Sequence, residues 1–283
     1  MNARATTASF SALRMRTLGA AALVFVLLAL DGGRGWAQDA VLPQVLPEGN
    51  LVAVGVGAYP DYIGSDDYSI GAIPLARYQY WGRRDITLVG NTLNVNLLDA
   101  AGWRLGPSGM LRFGRSDVKD DVVERAHEID PSVDLGAFVG YTWVGDDPRK
   151  FVGTNAWVLA DVTDSHGGWT AGANLFGAYP VFKALTLVGG GAATYGSGSY
   201  MNTYFGLTPA DTQASGLRTY QAEGGIRDVR AWLVALVHLS PRWTLGAGLI
   251  YSWLADEAGR SPIVSDRGSR HQWVGGAGAM FLW

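Results

Sequence analysis

Hydrophobic and polar positions alternate along much of the chain. From Trp243 to Trp253, "WTLGAGLIYSW", one set of alternate residues is Trp243, Leu245, Ala247, Leu249, Tyr251 and Trp253; the other is small or polar except for Ile250. Period two predicts a strand with one apolar face. An indole at each end of that face is unusual for a strand packed on a soluble core. The same spacing recurs in Trp169–Tyr179 and Trp273–Trp283, and Val133–Trp143 offers a fourth apolar face of that length. Ten steps at ~3.4 Å cover ~34 Å, which a ~45° tilt projects to ~24 Å. That height matches the ~25 Å apolar band of an outer-membrane barrel, with aromatic girdles at both edges. Trp169, Tyr179, Trp243, Trp253, Trp273 and Trp283 are the expected girdle residues.

Twelve strands are predicted, beginning near Leu51, Ile70, Ile86, Trp103, Val133, Phe151, Trp169, Ala184, Leu217, Val229, Trp243 and Gln272. The segment "VRAWLVALVHL" (229–239) is apolar on both faces, so its inner side must meet something other than open water. The predicted fold is all-β: a transmembrane antiparallel β-barrel of about 12 strands, with 10 as the alternative.

Composition agrees with this class. The 283 residues include 39 glycines, 11 tryptophans and 12 tyrosines, and only 17% are charged, as in barrels rather than average soluble enzymes. With no cysteine, disulfides, thiol nucleophiles, thiolate metal sites and a lipoprotein anchor are all excluded. Arg4, Arg14 and Arg16 precede the apolar run Leu18–Leu30, and Gly35 and Ala37 flank a plausible cleavage point before Gln38. Residues 1–37 therefore read as a secretory signal peptide; an organellar transit peptide is the competing reading. Residues 38–49 follow as a short periplasmic segment, and 50–283 as the barrel. Removing four arginines and Asp31 with the leader leaves 18 basic and 24 acidic residues. That balance opposes nucleic-acid binding.

Candidate chemistry is sparse. "AYPDYIGSDDYS" (58–69) lacks the alternate ligands and final glutamate of a calcium loop, and "GSGSY" (196–200) lacks the lysine of a phosphate cradle. "RSDVKDDVVERAHEIDP" (115–131) can form one or two amphipathic turns, with Val118, Val122, Val123 and Ala126 on one side. His238 with Ser240 is the only pair fitting an outer-membrane hydrolase, and a strand end at the membrane rim is the strongly favoured account of it. No catalytic, cofactor or metal residues are assigned.

Four segments carry a family resemblance: "GVGAYPDYIGSDDY" (55–68), "LGPSGMLRFGRSD" (105–117), "IDPSVDLGAFVGY" (129–141) and "YMNTYFGLTPADTQASGLRTYQAEGGIRDV" (200–229), followed by the aromatic terminus "MFLW". In order and spacing they resemble the MipA/OmpV family of outer-membrane proteins across nearly the whole chain from Asn50. The resemblance implies a non-enzymatic barrel in outer-membrane lipid. It acts either as a scaffold for a lytic transglycosylase and a peptidoglycan synthase, or as an OmpV-type channel or adhesin. No catalytic residues carry over. Pro60, Tyr62, Gly64, Gly114, Arg115, Gly206, Ser215, Gly216 and Leu217 match the motifs and are candidates for shape or docking. Arg115 stands out, because an arginine at a barrel mouth can pair with a carboxylate or phosphate. With these twelve strands and periplasmic termini, segments 115–131 and 197–216 fall on the periplasmic side, where connections are usually short. The scaffold reading makes them the enzyme contacts.

Overall fold

The structure is a computed structural model describing residues 49–283; the expected signal peptide and nearly all of the 38–49 segment lie outside the described residues. Twelve antiparallel strands close into one barrel, each hydrogen-bonded to its neighbours in sequence, with the first paired to the last. They are β1 (Leu51–Pro60), β2 (Tyr68–Trp81), β3 (Arg84–Val89), β4 (Thr92–Asn96), β5 (Trp103–Arg112), β6 (Ser132–Val144), β7 (Phe151–Asp161), β8 (Trp169–Phe182), β9 (Leu185–Gly196), β10 (Gly225–His238), β11 (Trp243–Leu254) and β12 (His271–Leu282).

The number twelve agrees with the sequence reading, but two of the strands differ. Gly90 and Asn91 join β3 and β4 in a two-residue hairpin with Gly90 at φ +57°, a turn glycine supports. The sequence reading ran through it and took the pair as one strand. Leu217 starts no strand: it follows a helix stopped by left-handed Gly216, and its neighbourhood forms only an isolated bridge, Leu207 to Tyr220. The two errors cancel in the total and invert everything between them. Segments 115–131 and 197–216 follow five and nine strands, so they lie at the end opposite the termini.

The connections are correspondingly asymmetric. At the terminus end they are short: 82–83, 97–102, 145–150, 183–184 and 239–242. At the other end, apart from the β3–β4 hairpin, they are longer: 61–67, 113–131, 162–168, 197–224 and 255–270. We refer to these as the turn end and the loop end. Short turns with both termini and long loops opposite are the arrangement of outer-membrane barrels.

Pleating puts alternate side chains outside. Leu135, Leu175, Leu233 and Leu249 stand exposed at mid-strand. Trp169, Trp253 and Trp273 are exposed at the loop end, and Tyr179, Trp243 and Trp283 at the turn end. Neighbouring rings support them: Trp169 stacks on Tyr195 with centroids 5.4 Å apart, and Trp243 lies 5.0 Å from Phe281. Inside, buried Phe176, Ala178, Val188, Trp232 and Ile250 pack together, as do Met110, Phe138, Trp157 and Leu159. The inner side of 229–239 thus meets apolar neighbours over its central part. Gly136 permits the close approach of β6 and β7, since a β-carbon there would sit 1.9 Å from the Val158 carbonyl oxygen.

In a bilayer, Leu233→Arg at mid-strand is expected to destabilise the barrel by about 2–4 kcal/mol, and Val229→Arg near the loop end by about 0–1 kcal/mol. Equilibrium unfolding from lipid vesicles measures both, and equal costs at the two depths would contradict the embedding.

Candidate functional site

Four loop segments fold over the loop end. In 197–224, the Ser197 hydroxyl accepts from the Tyr200 N–H and starts helix α1 (Gly198–Phe205), which buries Tyr200, Met201, Tyr204 and Phe205. Helix α2 (Pro209–Ser215) begins with a reciprocal cap: Thr208 accepts from the Asp211 N–H while Asp211 accepts from the Thr208 N–H. Pro209 occupies the first turn, and Gly216 ends the helix at φ +80°. Such caps satisfy the free N–H groups that a helix start exposes. In 255–270, short helices α3 (Asp256–Arg260) and α4 (Pro262–Ser265) bury Ala258, Ile263 and Val264. In 113–131, Asp120 Oδ1 accepts from the N–H groups of Val122 and Val123. The resulting turn buries Val123 and Ala126, with Val118 and Val122 packed alongside. These surfaces meet in two apolar clusters, one around Tyr200, Phe205, Leu254 and Val264, the other around Tyr62, Val123, Leu217 and Ile263. They form a cap.

All nine motif residues lie at this end. Pro60 closes β1, and Tyr62 and Leu217 are buried in the second cluster. Gly64, at φ +101°, donates to Gln272 Oε1 and its carbonyl accepts from Ser269. A β-carbon there would meet Val264 Cγ2 at 2.4 Å. At Gly114, φ +66°, a β-carbon would sit 2.0 Å from the Ile129 carbonyl oxygen. Gly206 caps α1 and Gly216 caps α2. Ser215 Oγ donates to the Asp211 carbonyl at 2.6 Å and accepts from the Leu217 N–H.

Arg115 does not face an open mouth. It is 5% exposed, and it donates to the backbone carbonyls of Tyr204 at 3.1 Å and His127 at 3.2 Å. Its own backbone pairs with Ile129. Burial pushes its guanidinium down to about 10 against the favourable field of Tyr62, Asp211 and Tyr204, so it stays charged at neutral pH and ties two loops together. Next to it, His127 Nδ1 lies 3.0 Å from Asp211 Oδ2 and Nε2 lies 3.1 Å from the Thr203 carbonyl. Asp211 also accepts from the His127 N–H and the Thr208 hydroxyl. Burial alone would raise its carboxyl; the hydrogen bonds from Thr208 and His127 outweigh that and hold it at about 2. Arg267 clamps Asp120 at 2.7 Å across the 113–131 and 255–270 loops.

Below the cap lies a buried ionic layer. Arg112 meets Asp134 at 2.7 Å and Thr170 at 2.8 Å, and His166 Nε2 lies 3.0 Å from Asp134. Arg227 and Arg230 both bond Asp228, and Arg227 also reaches the Tyr200 hydroxyl. Asp134, Asp161 and His166 place one ligand atom each within 4.8 Å, a spacing that suits a cation. Their lone pairs are already engaged. Asp134 accepts from Arg112, whose charge occupies the place of a metal, and from Ser132. Asp161 accepts from Thr163, His166 and Gly167 N–H groups. The trio is a hydrogen-bonded structural unit.

The hydrolase pair does not form. His238 points inward between Thr186 and Thr244, at 3.0 and 3.1 Å. The Ser240 hydroxyl accepts from the N–H groups of Arg242 and Trp243 in the β10–β11 turn. The sequence reading missed the ionic layer and the helical cap. Two signals pointed to them: charges at inward strand positions, as in Arg227, Asp228 and Arg230, and the Thr208–Asp211 capping spacing.

The family described as MltA-interacting protein MipA matches residues 52–283. Outer membrane protein YiaT of Escherichia coli (strain K12) is 25% identical over 177 residues, 60% of this chain and 66% of that protein. The chain thus spans just under two thirds of the length of the curated relatives it matches. Among solved structures, the COG4313 outer membrane channel from Pseudomonas putida F1 has TM-score 0.49 and 12% identity, covering 87% of this chain and 99% of that one. The translocator domain of autotransporter NalP from Neisseria meningitidis has TM-score 0.39 and 11% identity, covering 98% of each.

Asp211 has a folded-state value near 2, below its ordinary 3.8. Its stabilisation of the cap is therefore complete above about pH 4 and lost as pH falls toward 2. Limited acid proteolysis of the 113–131 and 197–224 loops should rise over that window. Asp211→Asn should show a shallower dependence and more cleavage at neutral pH; an unchanged profile would remove Asp211 from this role. Arg115→Met leaves two buried carbonyls without their donor, at ~1–3 kcal/mol, and should raise neutral-pH cleavage without preventing barrel assembly.

Proposed function

The chain belongs to the family of the MltA-interacting protein MipA, and from this we propose that it is a non-enzymatic outer-membrane barrel whose turn end docks a peptidoglycan-cleaving enzyme. The observation that carries the proposal is the division of labour between the two ends. The loop end is closed on itself by the cap, while the turn end bears both ends of the barrel chain. By the usual asymmetry of such barrels, short turns face the periplasm, which is where murein and its enzymes lie. Trp169, Tyr179, Trp243, Trp253, Trp273 and Trp283 then serve as the interfacial girdles, with rings at both rims.

Charge separates the two ends further. The turn-end connections carry five basic and three acidic side chains, against seven basic and fifteen acidic at the loop end. A basic face on an acidic protein steers an acidic partner surface toward that face. Segments 115–131 and 197–216, which the sequence predicts as the enzyme contacts, sit in the cap at the other end, so the enzyme contact moves to the turns. The family description names MltA, a lytic transglycosylase, as the partner; a peptidoglycan synthase is the second partner the reading admits. A non-enzymatic role also fits the histidines: His127 and His238 each have both ring nitrogens engaged by structural partners. The expected signal peptide, residues 1–37, would deliver the chain for insertion.

Lys183→Glu with Arg242→Glu reverses two turn-end charges. Recovery of an MltA-type transglycosylase with the tagged barrel should drop about tenfold, equivalent to ~1.4 kcal/mol. Asp121→Lys at the loop end should leave recovery unchanged. The opposite pattern would place the contact at the cap. In planar bilayers the capped barrel should stay silent, whereas discrete conductance steps would favour the solute-passage reading.

A further inference from the structure

The interior has two unlike walls. Membrane barrels ordinarily present polar side chains inward. Here the inner wall of β2–β5 carries Arg77, Asp85, Thr87, Asn94 and Arg104, all buried or nearly so, with Arg104 bound to Asp85. Between the Asp228–Arg230 pair near the loop end and His238 with Thr186 and Thr244 near the turn end, the middle of the inner wall of β9–β12 and β1 is apolar. It borders a partly open cavity of about 180 Å³ lined by Ile73, Val188, Trp232, Val234, Ile250 and Met280 among others. The indole N–H of Trp232, which lines the cavity, is bonded to Asn174 Oδ1 at 3.2 Å.

Two further observations bear on what the cavity holds. First, the room is partly made by glycine where the backbone does not demand it. Gly246 lines the cavity, and a β-carbon there would touch only Leu236 Cδ2, at an ordinary 3.4 Å. Second, the wall beside the cavity is incomplete. The β3–β4 hairpin ends at Gly90–Asn91, and β2 pairs with β3 only from Leu75 onward. Between Tyr68 and Ile73, β2 is paired with β1 along one edge and has no strand on the other among the described residues. Lys119 reaches the Tyr68 carbonyl across the top of that gap. Ile73, Leu75 and Val89, which border the gap, also line the cavity.

We propose that this cavity is a binding chamber for an uncharged hydrocarbon, of benzene size or the end of an alkyl chain, reached sideways from the bilayer through the gap between β2 and β5. Size and chemistry both select this class. A dry apolar cavity of ~150 Å³ takes benzene, and a charged or strongly polar ligand would lose its hydration without a partner. An apolar solute concentrates in the lipid beside the gap, so the side route avoids the cap and the ionic layer below it. The chamber stands apart from the enzyme-docking reading, and either can fail alone.

The test is a crystal structure of the full barrel from lipid-containing medium, with and without benzene. Benzene density against Trp232 and Ile250 identifies a site for free solutes. Tubular density entering between β2 and β5 identifies a bilayer chain in the same site. Ordered water in the chamber, or an empty chamber in benzene-soaked crystals, overturns the proposal. Gly246→Leu should fill the space and abolish either density; retention of the ligand in that variant also counts against it. If Gly246→Leu does not insert, Val234→Phe on the neighbouring strand β10, which also lines the cavity, provides the same test. In solution, bromobenzene should quench part of the tryptophan emission in vesicles, and Trp232→Phe should lose that part.

Discussion

A peptide group in hydrocarbon has no water to bond, so a chain that crosses a membrane with strands must pair every strand edge. Most of this structure follows from that requirement. It closes β1 on β12, keeps every neighbour antiparallel and sequential, and lets outward side chains be chosen for lipid contact alone. It also explains the glycines at the tightest contacts. Where backbones approach as β6 and β7 do at Gly136, a side chain would push the strands apart and break the pairing. The free edge of β2 beside the short β3–β4 hairpin is the one place where the requirement is relaxed among the described strands. The inward residues that border it, Ile73, Leu75 and Val89, line the apolar cavity.

The loop end follows a different rule. Helices of eight and seven residues are too short to persist alone in water. They hold because Tyr200, Phe205 and Val264 are buried in one apolar cluster and Leu217 in the other, and because their ends are capped internally. Buried Arg115 and the Arg112–Asp134–His166 group then fix the orientation of loops that apolar contacts alone would leave free to slide. Such pairs add little net stability but penalise any arrangement that separates them. The cap is accordingly a small folded core of its own, built on the barrel rim.

What was legible in the sequence divides along the same line. The outward alternation of Trp243–Trp253 and its relatives was readable because lipid imposes one demand at every position. The inner face answers to partners distant in sequence: Arg112 is matched by Asp134 and Thr170, and Trp232 by Asn174, pairings that no local pattern encodes. The strand count came out at twelve through two cancelling errors. One was avoidable, since Gly90–Asn91 is a hairpin signal between apolar-alternating flanks. Reading Leu217 as a strand start neglected Gly216, whose left-handed conformation ends a helix that Thr208, Pro209 and Asp211 had announced. The motif glycines Gly64 and Gly114 sit at positive φ with no room for a β-carbon, whereas the burial of Arg115 depends on three loops at once and no local pattern encodes it.

The two-walled interior changes how the cap should be understood. A barrel whose lumen is polar throughout contains a water column, and a cap on it is a stopper whose removal opens a pore. Here Phe176, Val188, Trp232 and Ile250, from the consecutive strands β8 to β11, pack side by side on one inner wall, and Met110, Phe138, Trp157 and Leu159 do so on β5 to β7. These contacts fill part of the interior below the loops without drawing on the cap. The cap's own physical consequence is to present one continuous folded surface at the loop end and to hold the rim rigid, because its two apolar clusters draw on four loops at once.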